Sequence, residues 1–441
     1  MKLIYSVVIL LFLNNCSFDN KTGIWNNANE SFDEKNDLFK DFKTLSTNNS
    51  SFNKVVKIKE NFQFKLAKPI NNKNWKDIFF DSSNNYKNFN YNGFNQLVFK
   101  SKKLTGSIVN EFILFEKDNL IFSDQKGNII LYSVEENQIK RKFNFYKKKY
   151  KKIEKSLNII TDNNVIYVSD NLGYLYAYDY YKNKIIWAKN FKIPFNSNLK
   201  LHNEKIILSN QNNNLFFINK KNGETIKLIP TEENYINNQF NNNISLTNSA
   251  VFYLNNYGTL YSLDLESLKV KWFLNLNQSL DLNLSNLFFG SQLVLSNNKI
   301  SVSSNHFTYI IDVNTGLVLY KINFVAKIKP IILDNYLFLI SNNNLIISMD
   351  LKNGNIIYSY NINEKIAEFL KIKKDQVEFK NFFISNSSIY VFLKNSYLLI
   401  FNINGDLEKI TKLPTKIYSQ PIFVNGNMMY LTSNGSLSIL N

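Results

Sequence analysis

Two histidines and a single cysteine bound the chemistry open to this chain of 441 residues. One thiol, Cys16, can form neither an internal disulfide nor a Cys-based metal centre. Imidazole catalysis or a zinc site would fall to His202 and His306, and the neighbours of each read as a β-turn or a strand edge, which makes both structural. Carboxylates recur singly at turn positions instead of converging in a run with calcium-loop spacing. These residues predict no catalytic group, no metal, no cofactor and no small-molecule substrate.

Cys16 has chemistry of another kind. Lys2 and an apolar stretch over residues 3–13 precede it, too short to cross a bilayer as a helix but matched to the hydrophobic region of an export signal. Leu13-Asn14-Asn15-Cys16 resembles the bacterial lipobox, in which a Leu three residues ahead marks a cysteine that is acylated and becomes the N-terminus. Asn15 stands where that motif prefers a small residue. Residues 1–15 are thus expected to be a lipoprotein signal peptide and Cys16 the lipidation site. Residues 16–61, rich in Asn, Asp, Ser and Lys without a sustained period, are expected to be a flexible tether.

Self-similarity organises the remainder. Aligned on a turn residue six before the end of an aromatic-rich strand, the chain shows eight copies, with Gly127, Gly173, Asn213, Gly258, His306, Asn344, Ser396 and Gly435 at the turn. Ser133, Asp179, Asn219, Asp264, Asp312, Asp350, Asn402 and Asn441 end the strands. Gly and Asn tolerate the positive φ of a tight hairpin, and Asp or Asn can bond the backbone two residues on to start the next turn. Four past the end residue stand Asn183, Gly223, Gly316 and Gly354; eight past it stand the large rings Trp187, Trp272, Tyr320 and Tyr358. Three or four short strands at intervals of 38 to 52 residues define β-propeller blades. The fold class is all-β: an eight-bladed β-propeller over residues 62–441. Its last copy ends at Asn441 without an outer strand, and the strand at 96–100 is expected to close the ring, because an open blade would expose a sheet edge.

The segment 170–179, DNLGYLYAYD, followed by Trp187, and the segment 256–264, NYGTLYSLD, followed by Trp272, resemble the repeat of pyrroloquinoline-quinone (PQQ) proteins. Eight such repeats behind a lipobox resemble the BamB-like lipoprotein family of the outer-membrane β-barrel assembly machinery. The resemblance implies a non-enzymatic scaffold, lipid-anchored on the periplasmic face of the outer membrane, that docks on the periplasmic domains of the central β-barrel assembly protein. It places the partner surface on a connection between early-middle blades. The matching segment is 231–243, with Tyr235, Ile236 and Phe240 as expected apolar anchors. Quinone-dependent dehydrogenases share the repeat but add a calcium site and often a vicinal cysteine pair, so that reading ranks below a propeller that binds another protein or a cell-wall polymer.

The net charge of +17 is spread through a Lys- and Asn-rich sequence and reads as compositional bias, with no nucleic-acid partner implied. One cluster, YKKKYKK at 146–152, lies between two repeats and reads as a solvated loop, with contact to phosphate groups as the alternative. Mass spectrometry of the N-terminal peptide from native membranes should find Cys16 acylated; an unmodified thiol, or cleavage elsewhere, refutes the anchor.

Overall fold

A computed structural model describes residues 52–146, 148–233, 240–277, 288–371 and 377–441, together with two short N-terminal strands. Those strands, Cys16–Phe18 and Trp25–Asn27, pair antiparallel with Cys16 opposite Asn27. The remaining expectations for residues 1–15, and for the tether up to residue 51, lie outside the described residues.

Strands buried along nearly their whole length, joined by Asn- or Gly-centred turns, give eight antiparallel sheets, the blades of a propeller. Blades 1 to 7 span 109–144, 157–190, 200–229, 243–275, 294–322, 331–361 and 379–412. Blade 8 has three strands from 422–440, and Leu97–Lys103 pairs antiparallel with Ser436–Leu440 as its fourth. The ring therefore closes with an N-terminal strand, as the missing outer strand required.

The turn columns obey the conformation inferred for them. Of the eight first-turn residues, all but His306 have positive φ, from 60° at Asn344 to 94° at Gly258. At the second turn the same conformation extends to Asn137, Leu268 and Gly405. Asp312 Oδ1 accepts the backbone N–H of Asn314 at 3.0 Å and of Thr315 at 2.9 Å, and Asp264 Oδ1 does the same for Glu266 and Ser267. These bonds lower both carboxyl pKa values, because the charged form is the one they stabilise.

A bulge recurs just before the end residue of seven blades: the pairing shifts between Leu131 and Tyr132, Ala177 and Tyr178, Phe217 and Ile218, Ser262 and Leu263, Ile310 and Ile311, Ser348 and Met349, and Ile400 and Phe401. An extra residue bends and twists the outer strand. The ring immediately after it then reaches the next blade. Trp187 lies on Gly223, Trp272 on Gly316, Tyr320 on Gly354 and Tyr358 on Gly405, so close that a Cβ on any of these glycines would sit 2.5–2.7 Å from ring carbons. Trp187 Nε1 donates to Lys220 O at 3.0 Å, Trp272 Nε1 to Val313 O at 3.2 Å, and the Tyr320 hydroxyl to Lys352 O at 2.9 Å.

One boundary differs from expectation, and one element is added. Residues 52–61, assigned to the tether, lie on blades 5 and 6: Phe52 N–H donates to Asn323 O at 2.7 Å, and Val56 exchanges two backbone hydrogen bonds with Ser359. The apolar residues scattered through that polar stretch explain it, since Phe52 meets Phe324 edge-on at 6.0 Å. One helix, α1 (Ile362–Leu370), follows blade 6, capped by Asn361, whose side chain accepts the N–H groups of Asn363 and Glu364.

Gly316→Ala should lower the unfolding free energy by about 2–4 kcal/mol, from a strained left-handed residue plus overpacking against Trp272. Chemical denaturation checks it, and a variant within 0.5 kcal/mol of the parent would remove the close approach from the energetics.

Candidate functional site

Antiparallel strands sort the loops to the two ends of the ring. Blade-to-blade connections and the first-column turns share one end, the connection face; the turns after the first and third strands share the other. His306 sits in a first-column turn on the connection face and His202 ends the first strand of blade 3 at the opposite face, so the two imidazoles do not share a site. His202 is half-buried, with its pKa lowered first by burial and then by Lys205.

The face opposite the connections is closed by a segment in which sequence analysis found no structure. Residues 72–92 run round the inner strands and bond to every blade in order. Trp75 exchanges two backbone bonds with Phe115 of blade 1, and Lys76 O accepts Thr161 N–H of blade 2 at 3.0 Å. Lys200 Nζ of blade 3 donates to Asp77 Oδ2 at 2.6 Å and to Asp81 O at 2.8 Å. Ser82 O and Ser83 O accept Leu246 N–H of blade 4 and Leu295 N–H of blade 5, at 2.8 and 3.0 Å. Asn85 makes two side-chain bonds to the backbone of Ile332 in blade 6. Asn88–Phe89 pairs in parallel with Ile384 and Ser385 of blade 7, and Asn92 N–H reaches Gly426 O of blade 8. Trp75, Tyr86 and Phe89 fill the middle, with Tyr86 stacked on Phe383 at 4.4 Å.

Charges in this plug are matched with one exception. Burial pushes the Glu116 carboxyl up, but bonds from Lys76, Thr161 and Tyr180 outweigh it and hold the group below its usual range. Burial pushes Asp77 up against the pull of Lys200. A cavity of about 390 Å³ at the edge of the plug is lined by Lys76, Lys200 and Lys220. Each of them already has a carboxylate, in Glu116, Asp77 and Asp162. The exception is Lys329. It is buried, donates to Asn84 O at 2.7 Å and lies 3.1 Å above the centre of the Tyr86 ring, and no carboxylate among the described residues forms an ion pair with it. Burial first, then the charge of Lys200, pushes its pKa well below the lysine range.

The connection at 231–243 has fixed ends. Glu232 accepts from Asn255 Nδ2 at 2.9 Å, Thr259 Oγ1 at 3.0 Å and the Tyr261 hydroxyl at 2.7 Å. Asn242 Nδ2 bonds Ser209 Oγ at 3.0 Å, and Thr231 Oγ1 donates to Asn213 O at 2.7 Å. Tyr235 and Ile236 lie outside the described residues. Phe240 corrects the sequence reading: it is 7% exposed and packs edge-on against Phe288 at 5.1 Å, a core ring and not a surface anchor. A single apolar residue in an Asn-rich stretch carries no periodicity to separate those roles. Glu232 was visible in the sequence only as a charge.

The residues at the ring's centre do not fit a quinone held beside calcium. Among the described residues no group of three or more His, Cys, Asp or Glu side chains converges, and aromatic and Asn side chains of the plug take up the space around the inner strands.

An eight-bladed ring with outer-strand rings on the next blade's glycine is a β-propeller of PQQ-type repeats. Residues 148–360 match the family model described as outer membrane protein assembly factor BamB. The crystal structure of BamB from Moraxella catarrhalis aligns with a TM-score of 0.62 at 12% identity, over 78% of this chain and 99% of that one. The quinohemoprotein alcohol dehydrogenase from Comamonas testosteroni aligns with a TM-score of 0.60 at 9% identity, over 83% and 80%. A computationally designed protein, Ika8, aligns at 0.59 and 10% identity, over 78% and 99%. No curated sequence matches the chain. At such identities these structures share the fold.

Lys329→Met tests the unmatched charge. The folded lysine binds fewer protons than the unfolded one, so stability of the parent rises with pH from the depressed pKa up to the ordinary value near 10.4. The variant should be the more stable protein at neutral pH, and its advantage should shrink towards pH ~10. Parallel stability curves for the two would mean Lys329 does not titrate differently on folding.

Proposed function

We propose that this protein is a non-enzymatic scaffold of the outer-membrane β-barrel assembly machinery, anchored through acylated Cys16 to the periplasmic face of the outer membrane. It docks by loops of its connection face onto the periplasmic domains of the central barrel-assembly protein. The observation that carries the reading is the match of residues 148–360 to the BamB family model within a closed eight-bladed ring. The plug supports it: one face is tied to all eight blades by residues 72–92, which leaves the longer loops of the other face to vary and bind. No redox step is assigned, because the residues at the centre pack against one another.

The contact falls on the tip of the connection at 231–243. Its two ends are fixed by Glu232 and Asn242. Tyr235 and Ile236 are the apolar groups assigned to the partner; Phe240 holds the base in the core.

Affinity purification from detergent-solubilised envelopes should recover the central barrel-assembly protein. Tyr235→Ser with Ile236→Ser should weaken that recovery roughly 10- to 100-fold, as losing two interface anchors does, with the melting temperature unchanged. Phe240→Ser should instead cost about 3–5 kcal/mol of stability. Full recovery with the double variant removes this loop from the interface. Uptake of pyrroloquinoline quinone with alcohol-dependent dye reduction would overturn the scaffold itself.

A further inference from the structure

The lysine cluster between blades 1 and 2 is built as a rigid surface, not a solvated strand of charge. Its aromatic residues point inward: Phe145 stacks on Tyr176 at 4.5 Å, and the Tyr146 hydroxyl donates to Asp170 Oδ2 at 2.5 Å. Tyr150 bonds Tyr174, hydroxyl to hydroxyl, at 2.9 Å. Lys155 is buried beneath, with its Nζ donating to Tyr150 O and its backbone N–H to Gln125 O at 2.9 Å. The neighbouring loop of blade 1 is pinned to the same frame by the bond from Gln125 N–H to Ile108 O at 2.9 Å.

On that frame Lys126, Lys148, Lys151 and Lys152 stand exposed, and none of the four forms an ion pair among the described residues. Lys126, Lys151 and Lys152 rim a hollow of about 320 Å³, whose single carboxylate is Glu154. Two aliphatic side chains project beside them: Ile108 is 55% exposed and Ile153 44%. The loops that carry these residues are on the connection face. From the same face, at blades 5 and 6, the chain leaves towards its N-terminus: Phe52 bonds Asn323 and Asn343 there.

We propose that this patch rests on an anionic phospholipid surface, with the lysines on headgroup phosphates and Ile108 and Ile153 in the interfacial layer. Unpaired lysines are point charges without the planar fork that selects individual carboxylates, and a headgroup layer presents diffuse negative charge. Protruding aliphatic tips ringed by cations are the side chains of an interfacial contact. The inference is independent of which protein the scaffold binds, and its test removes the acyl group.

The test uses the chain from residue 16 with Cys16→Ser, sedimented with phosphatidylcholine vesicles that contain or lack phosphatidylglycerol. Binding should require phosphatidylglycerol and weaken as salt screens the charges. Lys148→Gln, Lys151→Gln and Lys152→Gln together should weaken it on the order of 100-fold, at the effect of one cation near a charged surface applied three times. Ile108→Ser with Ile153→Ser should weaken it while leaving the salt dependence in place. Equal binding to both vesicles, or an unchanged triple variant, overturns the proposal. If vesicles are ignored and the triple variant instead loses a co-purifying acidic protein, the patch is a protein dock and the lipid assignment is wrong.

Discussion

A large ring lying on bare backbone is the contact on which the ring of blades depends. Each blade ends in a sheet edge and each must meet its neighbour at a repeatable angle. Trp187, Trp272, Tyr320 and Tyr358 supply that contact, and the glycine opposite lets the ring approach to where a Cβ would be. The two halves of the contact lie in different repeats, so they are coupled through the sequence. Where blade 1 has Arg141 in place of a ring, blade 2 has Asn183 at the turn; where blade 3 has Lys227, blade 4 has Leu268. Both turns keep a positive φ without glycine, at 53° and 55°. Glycine is thus dictated by the incoming ring as well as by the turn conformation.

Two of the four junctions without that contact show other means of holding the blades. Between blades 1 and 2, Phe143 stacks on Tyr178 at 4.2 Å with an interplanar angle of 10°. Between blades 3 and 4, a polar network does it: Asn213 Nδ2 donates to Asn256 Oδ1 and to Glu232 O, both at 2.7 Å, and Glu232 gathers three side chains of blade 4. Buried amides and a half-buried carboxylate are favourable only when their partners are met, so this junction is exacting in its geometry. It is also the junction that carries the loop at 231–243.

What was legible in the sequence follows from period. Eight blades, their turns and the closing strand all repeat or complete a repeat, and each copy reinforces the reading of the others. The plug was not legible because it has no period to show. Over residues 72–92 successive side chains face different blades, so Asp77 meets a lysine of blade 3, Asn85 a backbone edge of blade 6 and Phe89 the strand of blade 7. To a pattern search that is an Asn-rich linker. Helix α1 escaped for a related reason, since nine residues hold too few turns for a 3.6-residue period to stand out. At the candidate site the chain announced its lysines and its apolar residues but not their sides: Phe240 turned inward, while Lys148, Lys151 and Lys152 turned outward on a frame that Tyr146 and Tyr150 provide.

The plug also explains why the molecule tolerates charge at its centre. Asp77, Lys200, Glu116 and Lys329 are buried together, and buried ion pairs seldom add stability over apolar packing of the same shape. Their value is in register. A segment that bonds to eight blades in turn must match each with its own residue, and a shift by one position would leave Lys200 without Asp77 and the Ile332 backbone without Asn85. An uncompensated buried charge is costly enough to exclude that alternative, whereas apolar contacts alone would accept it. The plug therefore sets the order and closure of the ring from its centre, while the outer rings set the spacing of its blades.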